Sequence, residues 1–380
     1  MTESNSQPPP ETNAAQAPRT AGRATTASQV SVAPLGGALV SLSAPARPGE
    51  SADALLARLL EEGRHRGLSV VQGNVFGDTR RWQNTAAEFP LSILARHDSP
   101  PGDLRGARVL ALPDGSFERL PDATGNLRCV RWETGGARYL LMGALTPGNH
   151  GAAPDAQSAE LWRLLKATME PAGFCLKDLV RTWFFNDRIL DWYDGFNRVR
   201  TAFFNEHDIF GSLVPASTGV GAANATGAAL TLDALAVVPR EGAQLEVSAV
   251  ASPLQGPAND YKSAFSRAVE VAEKAGRHLF ISGTASIEPH GLTAHHDDLD
   301  AQIKLSLRVV AAILEARNMT WADVARAILY FPETAWMARF EPCREALGIP
   351  PLPAIFAHCD ICRGDLLFEI ELDAFKDGVK

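Results

Sequence analysis

Two stretches of this 380-residue chain can be laid over one another, and the overlay constrains the fold more than any other feature. The first reads "ARYLLMGALTPG" and then "DAQSAELWRLLKATMEPAGFCLKDLVRTWFFN"; the second reads "GRHLFISGTASIEPHG" and then "DAQIKLSLRVVAAILEARNMTWADVARAILYF". Each runs strand, glycine turn, helix, short helical turn, strand. In the second copy Ile303, Leu307, Val310 and Leu314 fall on one helical stripe, which predicts an amphipathic helix laid on a sheet. Thr320 followed by Asp323 forms a capping pair for the next turn. Aromatic and β-branched strands follow, then helix-like "WYDGFNRVRTAFF" or "WMARFEPCREAL", then a last strand, "ALTLDALAV" or "LLFEIELDAF". The period far exceeds that of a solenoid, so a whole domain is duplicated and two related α+β lobes are expected.

The closing strand of the second copy carries Glu369 and Glu371 on one face, with Phe368, Ile370 and Leu372 on the other. By itself that pattern describes a strand with its polar face in water. The repeat changes the weighting. Where the second copy places Glu369, the first has Leu232 or a neighbour, so the acid is not required to build the lobe and points to function.

Bulk properties narrow the partners. A net charge of -8 with no basic stripe argues against nucleic acid and anionic membrane. Five scattered cysteines suit a reducing compartment, with cytoplasm the expected location. Residues 1–31, rich in Pro, Ala, Ser and Thr and poor in aliphatics, are expected to form a disordered tail. No apolar run is long enough to span a membrane.

The second copy resembles the RidA/YjgF fold in "FSRAV", "FISGTASI", "DAQI" and "LFEIELDA", and the first carries "FNRVR" and "PASTGVG". RidA-like proteins grip a carboxylate with an arginine upstream of the closing strand. Counted back from the closing Glu, that position is Ala354 in the second copy and Ser217 in the first, so their imine chemistry is not expected. A fuller match is to the chorismatase family, two-lobed relatives with an extra N-terminal region. It rests on "RTWFFNDRILDWYDGFNRVRTAFF", "PASTGVGA", "SPLQGPANDYKSAFSRA", "SGTASI" and "CRGDLLFEIE". The resemblance implies an α+β fold of tandem RidA/YjgF-like (chorismate-mutase-like) lobes. The implied divisions are a tail at 1–31, an N-terminal region at 32–135, a first lobe at 136–240 and a second at 241–380.

The activity implied is cleavage of chorismate with release of pyruvate, without metal or organic cofactor. Protonating the enol ether of that dianion calls for a carboxylic acid held neutral by burial, a role the resemblance gives to Glu369. Cys362, seven residues upstream, stands where the family's hydroxybenzoate-forming branches carry a cysteine and its hydrolytic branches do not. Its presence implies 3-hydroxybenzoate as product, with 4-hydroxybenzoate beside it, rather than a dihydroxycyclohexadiene acid. Candidates for the two substrate carboxylates are Arg267, Arg181 and Arg344, with Tyr261 as a phenol donor. Ser282 and Thr284 of the "SGT" turn and Ser217 and Thr218 of the first copy's equivalent turn complete the set.

Several motifs carry plainer readings. His295, His296 and Asp297 are adjacent in a loop and lack a third metal ligand, and the lone CxxC at Cys359 and Cys362 has no second pair. Trp183, Trp192, Trp321 and Trp336 read as core. A ligand-binding protein without turnover is the alternative from another class; an acid retained in only one copy favours catalysis. Fusion of the lobes, with the preceding region as a third sector, predicts a monomer whose site lies between its own lobes.

Overall fold

The computed structural model describes residues 30–77, 88–258 and 263–378. Most of the expected tail and Tyr261 therefore lie outside the described residues, although Ser31 already opens a strand. Three six-stranded sheets make up an α+β architecture. No helix among the described residues is long and apolar enough to cross a membrane.

The first lobe runs β1 (Ser31–Pro34), β2 (Val40–Pro45), α1 (Ala52–His65), β3 (Leu68–Phe76), β4 (Leu91–Ala95) and β5 (Gly106–Pro113). The second runs β6 (Phe117–Leu120), β7 (Cys129–Glu133), β8 (Ala137–Leu145), α2 (Pro154–Met169), β9 (Leu179–Asn186), α3 (Ile189–Glu206) and β10 (Ala216–Gly221). After β11 (Ala223–Asn224), which pairs with β4, it closes on β12 (Leu230–Pro239). The third runs β13 (Glu246–Val250), β14 (Ala268–Glu273), β15 (Gly276–Ala285), α4 (Leu299–Ala316), β16 (Val324–Phe331), α5 (Phe340–Ala346), β17 (Ala354–His358) and β18 (Glu369–Asp377). Residues 117–133, which the sequence reading groups with the N-terminal region, add two strands to the second sheet.

The predicted stripe on α4 is buried at Ile303, Leu307, Val310 and Leu314, and Asp298 caps the helix by accepting from the Ala301 amide. Thr320 and Asp323 form the reciprocal cap expected of them. Trp183 lies in the central core, while Trp192, Trp321 and Trp336 pack against the cores of the second and third lobes.

The N-terminal region is itself a third copy of the plan. In each lobe a strand leads through a helix to a second strand, which pairs parallel with a third and antiparallel with the closing one; the central strands are β3, β9 and β16. Each central strand bulges at the corresponding place, at Val71, Val180 and Ala325, so the register gives residue-by-residue equivalence. Phe76, Phe185 and Tyr330 are equivalent, and Phe76 meets the other two rings edge-on at 6.3 and 6.4 Å. The parallel edge strands β4, β10 and β17 pack on β8, β15 and β2, closing a ring of three lobes. Sequence overlay does not detect this copy because its connection from Phe76 to Leu91 is shorter than those from Asn186 to Ala216 and from Phe331 to Ala354.

The polar face of the closing strand turns toward this junction, not toward water. Glu369, Glu371 and Asp373 are buried, at 5%, 0% and 2% exposure. Arg181 and Arg326 donate to Glu371 at 2.6 and 2.9 Å, and Arg326 also donates to Asp373 at 2.6 Å. Arg108, Arg181 and Arg326 surround the Trp183 ring at 5.5, 4.8 and 5.5 Å. Burial raises the Glu371 pKa, but the two guanidiniums outweigh it and hold this carboxyl below its ordinary value.

Candidate active site

A cleft opens where β10 of the second lobe meets β15 of the third. The second lobe supplies Tyr193, Phe196 and Arg200 from α3 and Ser217 and Gly219 from β10. Opposite stand Ser263, Phe265 and Arg267, then Gly283 and Ala285 of β15 with Ile287, then Cys362, Arg363 and Glu369. Among the described residues, one carboxyl therefore shares the cleft with three arginines.

Glu369 is the first residue of β18, paired with Ala285 and Tyr330. Its register equivalents are Thr231 in the second lobe, a neighbour of the Leu232 expected there, and Gly106 in the first. A side chain at Gly106 would collide with Ile355 of β17, at 2.9 Å from its first carbon, so that junction has no room for an acid. Thr231 donates to the Leu145 carbonyl. Among the three equivalent positions, only the junction of second and third lobes carries a carboxyl.

Burial pushes the Glu369 carboxyl up to about 8, the Glu371 charge adds to that, and Arg181 opposes it. The acid is thereby neutral at pH 7, as a proton donor must be. Its Oε1 lies 2.0 Å from where a side chain on Gly283 would begin, so the carboxyl rests directly on the backbone of the β15 bulge. That backbone is fixed from the other lobe: the Gly283 amide donates to Thr218 at 3.0 Å, and Arg181 donates to the same hydroxyl at 2.6 Å.

The predicted residues divide accordingly. Glu369, Cys362, Arg267 and Ser217 line the cleft. Arg181, Thr218, Ser282 and Thr284 are behind its wall. Arg181 is wholly buried with Glu371, and Ser282 ties the lobes by accepting from the Ser217 amide at 2.9 Å and donating to the Ser266 carbonyl at 2.6 Å. Thr284 donates to the Ser282 carbonyl at 2.8 Å. Arg344 is elsewhere: its guanidinium is engaged by Glu341, Glu345 and the Ile349 carbonyl around α5.

The two cysteines of the CxxC point into different surroundings, Cys359 into the central core and Cys362 beside Ala285, Ile287, Ile361 and Leu366. Burial, with the Glu369 charge adding, pushes the Cys362 thiol up to about 12, so it stays protonated. No group of three or more His, Cys, Asp and Glu able to hold a metal occurs among the described residues; His296 instead lies 3.5 Å from Asp365.

Sequence reasoning missed Tyr193, Phe196, Arg200 and Arg363. The first three follow helical spacing on α3, so one face of "WYDGFNRVR" presents a phenol, a ring and a guanidinium together. Arg200 donates to the Asn197 side chain at 2.6 Å and lies over the Phe196 ring, which holds its charge at the cleft wall. Arg267 is aimed by the Gly256 carbonyl, which accepts from its Nε and Nη2 at 3.1 and 3.0 Å. Replacing Arg200 with Met should raise the KM for an anionic substrate about tenfold with little change in melting temperature, a loss of the size expected for one charged hydrogen bond. Steady-state kinetics beside a thermal melt checks this; an unchanged KM would place the anion elsewhere.

A buried carboxyl whose pKa is raised, facing guanidiniums between α+β lobes, is an arrangement suited to holding an anion and handing it a proton. No family model matches the chain. It is 27% identical over 349 residues to a 3-hydroxybenzoate synthase of Streptomyces hygroscopicus, covering 83% of this chain and 96% of that protein. It is 29% identical over 255 residues to a chorismatase of the same organism, covering 61% and 70%. A chorismatase crystal structure superposes with a TM-score of 0.65 at 21% identity, covering 91% of this chain and all of that one, and so shares its fold. The chain is thus similar in sequence to a 3-hydroxybenzoate synthase and to chorismatases, and it has the chorismatase fold.

Proposed function

We propose that this protein cleaves chorismate to pyruvate and 3-hydroxybenzoate. The observation that carries the reading is Glu369, held neutral by burial in a cleft that also presents Arg200, Arg267 and Arg363. The arginines would take the two substrate carboxylates, leaving the enolpyruvyl methylene facing the acid. Glu369 transfers its proton to that carbon, giving an oxocarbenium ion whose C–O bond to the ring is weakened. The neighbouring ring hydroxyl displaces the enolpyruvyl oxygen internally, pyruvate departs, and the arene-oxide-like ring opens and loses a proton to aromatise. No water is consumed on this route.

Cys362 stands in the same wall as a neutral thiol, which suits proton transfer to the ring or exclusion of water better than attack as a thiolate. Ring closure within the chain by three lobes supports a monomer with a complete site. Chromatography of the products from purified protein and chorismate tests the reading. A hydroxybenzoate and pyruvate in equal amounts are expected; a dihydroxycyclohexadiene acid would make the protein a hydrolase, and no pyruvate would remove the proposal.

The acid also sets a pH dependence. Because Glu369 donates only while protonated, pyruvate release should decline with rising pH through a midpoint near 8. A rate profile flat from pH 6 to 9, with binding saturated, would mean that another group supplies the proton.

A further inference from the structure

Among the described residues, the first lobe contributes no side chain to the cleft. It nonetheless grips the segment that delivers Cys362 and Arg363 to the cleft. Asp360, two residues before Cys362 and 4% exposed, accepts from Arg96 Nε at 2.7 Å, and His97 Nδ1 stands 3.7 Å from its other oxygen. The Arg96 amide donates to the His358 carbonyl at 3.1 Å. The His358 ring lies 3.0 Å from Ser99 Oγ and 3.3 Å from Asp103 Oδ2, both in the loop that follows Arg96. From the second lobe, Gly221 exchanges both backbone hydrogen bonds with Asp360, at 2.7 and 3.0 Å. A side chain on Gly221 would begin 2.5 Å from the Asp360 Cβ, so this approach requires a glycine.

We infer that Arg96 and Asp360 are positioning residues through which the first lobe sets the place of Cys362, and with it the choice between internal displacement and water. The inference rests on the proposed reaction. Its physical basis is that a short loop clamped by a partly buried ion pair and two backbone bonds has few conformations, whereas Cys362 has no regular strand or helix of its own to hold it. Glu369 is held separately, by the register of β18 and the Gly283 contact. Loosening the clamp should therefore move the thiol without moving the acid.

Arg96→Ala tests this with two readouts. Amides of residues 359–366 should exchange with deuterium about tenfold faster, while those of β15 are unchanged. The hydroxybenzoate fraction should fall in favour of the water-derived product, with pyruvate release kept within about threefold of native. Arg96→Lys should restore part of the product ratio. Val70→Ala, a core truncation in the same lobe away from this loop, should change neither readout beyond its effect on melting. Should Arg96→Ala not fold, the isosteric Asp360→Asn carries the same measurements. Unchanged exchange at 359–366 overturns the clamp, and faster exchange with an unchanged product ratio overturns its role in specificity. If the native protein does not turn over chorismate, the proposed reaction falls, and the specificity claim with it; exchange alone still decides whether the clamp exists.

Discussion

Glu369→Gln should lower pyruvate release from chorismate by about 10²- to 10⁴-fold while leaving the protein folded, because the amide keeps the shape of the side chain but has no proton to give. The same substitution should act on stability with a sign fixed by linkage. In the folded protein this carboxyl holds its proton up to about pH 8, far above its ordinary value of 4.5, so folding takes up a proton across that interval. Native stability from this group consequently declines as pH rises from about 4.5 to 8, and the Gln variant is free of that decline. The variant should melt higher than native at pH 8, by a margin that shrinks toward pH 5. Pyruvate assays with melts at both pH values check the pair of outcomes. Near-native turnover would make Glu369 a structural residue, and a melting difference independent of pH would mean that its carboxyl is not buried in the neutral form.

That one buried acid should be a liability to the fold and central to the site follows from the three-lobed plan. Glu371, two residues further along the same strand face, has Arg181 and Arg326 within hydrogen-bond distance and is stabilised as an anion. Glu369 lies one step beyond that network, where its carboxyl rests on the Gly283 backbone and burial outweighs the pull of Arg181. Two like residues two positions apart are driven to opposite protonation states by what faces them. Arg181 thus serves the site from behind: it neutralises Glu371, which would otherwise add more negative charge beside the donor, and it orients the hydroxyl that fixes Gly283.

Much of this was legible in the residues. The repeat exposes the second and third lobes because their apolar spacing and turn residues are locally encoded, and Glu369 stands out because its counterpart is not an acid. The first lobe stays hidden, since its strands share a register with the others but no readable string. The arginine set was only partly legible for a related reason. Arg267 and Arg344 look alike in sequence, yet one is aimed by the Gly256 carbonyl and the other is neutralised around its own helix by Glu341 and Glu345. Which guanidinium faces the cleft depends on how the second and third lobes pack, since the cleft forms only where β10 meets β15. Arg200 was in principle accessible through its helical spacing with Tyr193 and Phe196, but that spacing also describes a plain core face.

Cys362→Ala should divide the reaction at the step after protonation. The acid is on β18 and the thiol on the preceding loop, so removing the sulfur leaves the Glu369 contact with Gly283 in place, and pyruvate release should continue. What changes is the wall beside the ring: Cys362 closes a small apolar cluster with Ala285, Ile287, Ile361 and Leu366, and truncation opens space there large enough to matter for water. The ring product should shift from hydroxybenzoate toward the dihydroxycyclohexadiene acid, because water then competes with the internal hydroxyl. Loss of a half-buried sulfur should cost about 1 to 2 kcal/mol of stability, so the product ratio is to be taken below the variant's melting transition. Cys362→Ser separates the two ways the thiol can act. If it excludes water by filling space, Ser, smaller and better hydrated, should behave like Ala; if it passes a proton, Ser should retain part of the native ratio. An unchanged hydroxybenzoate fraction in both folded, active variants would leave Cys362 a packing residue and place control of the product in the remaining lining of the cleft.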